Sequence, residues 1–267
     1  MRTQPALRIG ARAPLPDARV TCMLRATATS RNSCVSISPR LLDAELEAST
    51  PGVPHVFARL DYQKGNAVSA TVLYMSISLD GFIAGPNEGP DNGLGDGGHR
   101  LHEWAMTGSG DVDLEAIRRS GGVNGKVVDE FMSTGATVAG RGTFEPAGGW
   151  GGDHHGGVPI FVYSRREPGI DISQWPLVTY VTDVAAAMTQ AKQAAGDKDV
   201  LVHGAAVAQL ALAVGLLDEL ELHVVPVLFG QGRRLFENLA PEQIELERTR
   251  ILEGEAGVTH MHYRVRR

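Results

Sequence analysis

From Thr71 onward short apolar runs alternate with amphipathic stretches, and no other feature of the chain constrains its fold so tightly. Thr71–Ser78 (TVLYMSIS) alternates with a period of two, as a strand does. Lys126–Thr134 places Val127, Val128, Phe131 and Met132 at helical spacing and runs into Gly135, a helix stop. Strand-like runs recur at Ala136–Ala139, Val158–Tyr163, Leu177–Val181 and Val200–Val202. Asp183 is placed to cap a helix with the stripe Val184, Met188, Ala191 and Ala195, and an apolar helix is expected over Val207–Leu217. The ending differs, because Glu219–Leu228 and Thr259–Val265 read as long strands with no helix between them. This order predicts an α/β fold: a mostly parallel central sheet with antiparallel C-terminal strands.

The first 67 residues lack such a pattern, apart from one short helical candidate around Leu41–Leu46. They hold nine basic and five acidic residues, whereas the rest carries a net charge of −10 within the overall −6 of the 267-residue chain. Seven arginines and a single acid, Asp17, occupy the first forty positions, a composition that resembles an organelle transit peptide. An upstream extension of a protein that begins near Val68 or Met75 has the same appearance. Residues 1–67 are therefore expected to form a poorly ordered extension and 68–267 the working domain. Both cysteines, Cys22 and Cys34, lie in the extension, so the body offers no thiolate and no cysteine-based metal site. With no apolar run long enough to span a bilayer and no basic excess, neither membrane nor nucleic acid is an expected partner, and a cytoplasmic location is expected.

In α/β sheets ligands bind beyond the carboxyl ends of the strands. Four such tips carry chemistry: Ser78–Gly85 (SLDGFIAG), Gly140–Thr143 (GRGT), Tyr163–Arg166 (YSRR) and His203–Ala206 (HGAA). Gly140 and Gly142 let backbone N–H groups approach an anion, and Thr143 adds a hydroxyl. Arg141 supplies a planar fork for phosphate oxygens. Gly204 followed by two alanines makes a second close-approach site, and Ser164 with Arg165 or Arg166 a more peripheral third. A dinucleotide with a 2′-phosphate has that arrangement of anions. One arginine on the extra phosphate, at about 1.5–3 kcal/mol, would favour NADPH over NADH by roughly 10- to 100-fold. The stretch is not a Rossmann fingerprint, since Glu145 stands where its third glycine belongs.

Residues from about 71 to 267 resemble the dihydrofolate-reductase-like superfamily, in particular the C-terminal reductase domain of the bifunctional riboflavin-biosynthesis deaminase–reductase. The matching stretches are SLDGFIAG, GRGTFE, VYSR, VHGAAVAQL, GLLDEL and PVLFGQGRRLF. The resemblance implies a three-layer fold, homodimers and NADPH along the carboxyl edge of the sheet. It places Gly140, Arg141 and Thr143 at the phosphates, Ser164 and Arg165 near the 2′-phosphate, and Gly204, Ala205, Ala206 and Val207 in a second phosphate loop. Ser76 and Ile83 fall where the nicotinamide carboxamide would rest. Many relatives have a glycine pair where this chain has Gly204–Ala205. The implied activity is reduction of a pyrimidine- or pteridine-like molecule, nearest to 5-amino-6-(5-phosphoribosylamino)uracil; dihydrofolate reduction, another small-molecule reduction, or a non-catalytic dimeric nucleotide-binding module are the alternatives.

Asp80 is the first candidate for proton transfer or substrate anchoring, with a turn role before Gly81 as the alternative; Glu103 or His102 is the second. His99 with His102, and Asp153–His154–His155, form no recognisable ligand set, so no metal is expected. Gly148–Gly157 could make a flap over the cofactor, and Arg233–Arg234 could meet a phosphorylated substrate or shape a dimer contact.

Overall fold

The computed structural model describes residues 69–89, 91–106, 113–239 and 243–266. The chain divides into two units, Met1–Leu60 and Asp61–Arg267. The extension expected over residues 1–67, and its boundary, lie outside the described residues. The elements run β1 (Thr71–Ser78), β2 (Phe82–Ala84), α1 (Leu114–Ser120), α2 (Gly122–Met132), β3 (Ala136–Gly140), α3 (Arg141–Phe144), β4 (Ile160–Tyr163) and β5 (Val178–Val181). There follow α4 (Val184–Ala195), β6 (Val200–His203), α5 (Ala205–Ala213), β7 (Glu219–Val225), β8 (Arg233–Arg234), β9 (Leu246–Glu253) and β10 (Thr259–Val265).

Eight strands form one sheet in the order β5-β4-β3-β6-β1-β7-β10-β9. The strands from β5 to β7 run parallel, and β10 and β9 close the far edge antiparallel. The fold is thus the expected one. Every residue of β1 is buried, because helices cover both faces of the sheet. Leu73, Met75 and Ile77 pack with α4 and α5, while Val72 and Tyr74 pack with Phe131 of α2 on the opposite side. Leu73 and Leu220 are fully buried, each contributing about 1.5–3 kcal/mol of apolar transfer.

Local chemistry sets the element ends. The Asp183 carboxylate accepts the Ala186 N–H and starts α4, and Gly196 at φ 66° stops it. β7 ends at Val225 rather than Leu228, because Pro226 has no N–H to give the ladder. Helix α5 stops at Ala213, short of the expected Leu217, as the chain turns through Gly215 at φ 69°. Two elements had no clear sequence signal. Strand β9 (LERTRILE) is an edge strand of mixed character, with Leu246 and Ile251 exposed and Arg250 half-buried against the buried Glu221. Helix α1 has no buried residue; it exists because Asp113 caps it, accepting the Ala116 N–H at 2.9 Å, and because Leu114 and Ile117 pack against the cluster that holds Val128 of α2.

Candidate active site

β4, β3 and β6 are successive neighbours in the parallel part of the sheet, so the tips that follow them open onto one edge. Spaced by about 5 Å per strand, they form a continuous rim. Gly140 ends β3, and a Cβ built on it would sit 3.9 Å from the Ala206 Cβ and the Val207 nitrogen. Gly204 follows β6 with φ 103°, and a Cβ there would overlap the Thr143 hydroxyl. Its own N–H donates to the Met75 sulfur at 3.3 Å. The two glycine tips are therefore packed against each other. The first-turn N–H groups of α5, from Ala205, Ala206 and Val207, lack intrahelical partners by helix geometry and open onto this edge.

Arg141 donates to Glu145 at 2.9 Å, and its side chain keeps 31% of its surface exposed. Glu145 also accepts the Gly169 N–H and the Tyr180 hydroxyl, so the guanidinium stands on a carboxylate that is itself fixed. Burial and that carboxylate hold the Tyr180 hydroxyl protonated, well above its ordinary range. Ser164 differs from the sequence expectation. Its hydroxyl donates to the Arg166 carbonyl and accepts the Arg166 N–H, closing a turn and leaving no free donor. What the turn displays to solvent is Arg165 and Arg166.

Behind the rim lies a cavity of about 590 Å³ between the sheet and the layer of α1 and α2. Thr143 lines it and also belongs to the rim. Ser76 and Ile83 line it as well, and the Ser76 hydroxyl accepts the Trp104 indole N–H at 2.9 Å. Trp150 closes one side from a segment, Gly149–Gly151, whose residues all adopt left-handed backbone conformations. A Cβ on Gly149 or Gly152 would strike the Trp175 ring, so only glycine lets this loop lie down. Arg233 reaches the cavity from β8, ion-paired to Glu88 at 2.7 Å and donating to the Gly142 carbonyl at 3.4 Å.

Both acids proposed for proton transfer stand outside the cavity lining. The Asp80 carboxylate accepts the Ser78 hydroxyl and the N–H groups of Phe229 and Gly230. The Ser78 hydroxyl foremost, with those N–H groups, holds its pKa down at about 2. Asp80 thus braces the loop that leads to β8. Glu103 pairs with Arg100 on the surface at 3.0 Å. Its neighbour His102 does line the cavity, with burial pushing the imidazole down to about 4.

Histidines are what the sequence reading undervalued. His102, His154, His203 and His223 all line the cavity. Burial holds His203 at about 4 and keeps His154 and His223 well below the ordinary histidine range. His203 was visible at a strand tip; His223, an alternate residue within β7, had no signal of its own. Among the described residues, Glu221, His223 and His260 gather ligand-type atoms within 4.8 Å of one another. Glu221 is paired with Arg250 at 3.1 Å, and the Nδ1 atoms of His223 and His260 share a hydrogen bond at 2.9 Å. A guanidinium in contact with the carboxylate opposes a cation at this spot.

A mostly parallel sheet with an antiparallel closing edge, glycine tips on its carboxyl rim and a cavity beside them make up a dihydrofolate-reductase-like fold. Residues 158–260 match the family model of the RibD C-terminal domain, which covers four of the stretches that carried the sequence resemblance. A crystal structure described as a candidate riboflavin biosynthesis protein from Shewanella sp. PV-4 superposes with a TM-score of 0.54 at 21% identity, over 74% of this chain and 99% of that one. A pyrimidine reductase-like protein from Corynebacterium diphtheriae gives 0.46 at 14% identity, over 74% and 92%. RibD of Acinetobacter baumannii gives 0.47 at 16% identity, over 74% of this chain and 58% of that longer one. No curated protein matches in sequence. Among the described residues no helix is long and apolar enough to cross a membrane.

Proposed function

We propose that the protein is an NADPH-dependent reductase of a pyrimidine- or pteridine-like compound, nearest in activity to 5-amino-6-(5-phosphoribosylamino)uracil reduction. The observation that carries this reading is the packing of the Gly140–Thr143 tip against the Gly204–Val207 tip, with Thr143 shared between rim and cavity. The residues fit the cofactor, because Gly204 leads into the first-turn N–H groups of α5 and the Arg141 guanidinium of the adjoining tip stays partly exposed. Gly140, Arg141, Thr143, Gly204, Ala205, Ala206 and Val207 would hold the pyrophosphate, Arg165 the 2′-phosphate, and Ser76 and Ile83 the carboxamide end. NADPH supplies the hydride when bound. The chain's part is to hold donor and acceptor in register and to keep water out, which Trp104, Trp150 and Ile83 do as cavity walls.

Among the described residues the acids that line the cavity are Glu88 and Asp91, and Glu88 is held by Arg233. Arg233 instead suits the phosphate of a ribosylated substrate. The closing strands, with Leu246 and Ile251 exposed on β9, are proposed to form a homodimer contact, which sedimentation velocity on the full chain would test. The reductase reading is tested by following NADPH absorbance with a panel of ribosylaminopyrimidines and dihydropterins. Oxidation with one of them is expected. Saturable NADPH binding with no turnover across the panel would favour a nucleotide-binding module instead.

A further inference from the structure

Two pairs of histidines in edge-to-face contact flank the cavity, and their hydrogen-bond partners fix where each proton sits. The Asn124 amide nitrogen donates to the carbonyls of Trp104 (3.0 Å) and Glu255 (3.3 Å), and its oxygen accepts the Glu255 N–H. Carbonyls cannot donate and an N–H cannot accept, so this orientation is unique. The Asn124 oxygen also faces His260 Nε2 at 3.0 Å, which must therefore carry the hydrogen. In a neutral imidazole Nδ1 is then bare, and the His223 Nδ1, 2.9 Å away, must supply the proton between them. That leaves His223 Nε2 unprotonated on a ring that lines the cavity.

The second pair repeats the logic. The Thr134 hydroxyl donates to the Phe131 carbonyl at 2.9 Å, so toward His155 Nε2, also 2.9 Å away, it accepts. His155 Nδ1 is then bare and receives the His154 Nδ1 proton at 2.8 Å. His154, another cavity residue, keeps a bare Nε2.

We propose that these two relays fix His223 and His154 as hydrogen-bond acceptors, so that the cavity recognises an uncharged ring rich in N–H donors, as an aminopyrimidine is. Burial supports the neutral forms, since it lowers the basicity of all four rings. Neutral imidazoles give no purchase to an anion, so a phosphate on the same ligand would have to be met elsewhere, as by Arg233. His260, Asn124, His155 and Thr134 are positioning residues that touch no ligand. The assignment of the tautomers stands on the protein alone; the ligand half rests on the cavity being the substrate site of the proposed reductase.

The test is a long-range proton–nitrogen correlation spectrum of the full-length protein labelled with ¹⁵N-histidine at neutral pH, assigned through His223→Gln and His154→Gln. Both residues are expected as Nδ1-protonated rings with a pyridine-type Nε2. Thr134→Val should scramble the His154 tautomer while His223 keeps its own, which serves as the fold control. An Nε2-protonated or imidazolium His223 overturns the proposal. With NADPH present, 5,6-diaminouracil is expected to move the Nε2 resonance of one or both rings, and His223→Leu to weaken it about tenfold, as loss of one hydrogen bond does. NADPH that saturates the protein while 5,6-diaminouracil moves neither resonance overturns the ligand half and spares the reductase reading. Failure of NADPH to bind removes the reductase reading and leaves the tautomers to be decided by their own spectra.

Discussion

Gly204 and Thr143 stand so close that no side chain fits between them, and this contact ties the tip of β6 to the turn after β3. Gly204 also holds φ at 103°, a conformation that an alanine adopts only with strain. Gly204→Ala is expected to cost about 1–3 kcal/mol in urea unfolding. Thr143→Ala in the same chain should return part of that loss, because it removes the hydroxyl in conflict. A double-mutant coupling near zero would mean that the two tips adapt independently.

Asp80 gives the clearest split between bracing and chemistry. Its carboxylate collects the Ser78 hydroxyl and two backbone N–H groups, and it does not line the cavity. Asp80→Asn is therefore expected to raise KM by loosening the loop that carries Arg233, with the pH dependence of kcat unchanged. Disappearance of an acidic limb from that profile would restore Asp80 as a proton donor.

The buried ion pair on the far edge predicts a stability effect away from the site. Glu221 has no exposed side-chain surface and relies on Arg250, which also grips Glu130 through two bonds at 2.6 and 2.7 Å. Arg250→Met leaves a buried carboxylate unpaired and should cost about 3–5 kcal/mol. Combining it with Glu221→Gln should recover much of the loss, as measured by thermal and urea unfolding together. A double variant no more stable than Arg250→Met alone would contradict this account of the pair.

The buried histidines set an acid limit. His102, His203 and His260 sit near 4 in the folded chain, each lowered first by burial, against an ordinary value of 6.5. Below 6.5 the unfolded chain takes up protons that the folded one refuses. The stability from keeping them neutral is therefore complete above about 6.5 and drains away as pH falls toward 4. Urea midpoints measured from pH 7 to pH 4.5 should fall across that window. A flat profile would show these rings to be open to water.

How much of this could be read from the residues depends on where the signal was local. Asp183 and the stripe Val184, Met188, Ala191 and Ala195 announced α4, and the period-two run of β1 was read to its last residue. The glycine tips announced the rim, because a bare backbone after a buried strand has few other uses. What stayed hidden depends on partners distant in sequence. The Ser164 hydroxyl is spent on Arg166, and Asp80 on residues 149 and 150 positions away. His223 and His260 meet only because β7 and β10 pair in one register out of many. An alternating polar residue in a strand reads as solvent-facing, and nothing local says that its neighbour across the sheet is another imidazole.

The most direct measurement is a calorimetric titration of the full-length protein with NADPH, repeated on Arg141→Ala. The account predicts saturable binding to the wild type and a loss of about 10- to 100-fold in the variant, with its unfolding temperature little changed. Equal NADPH affinity in the two proteins, or none in either, would contradict the placement of the cofactor on this rim.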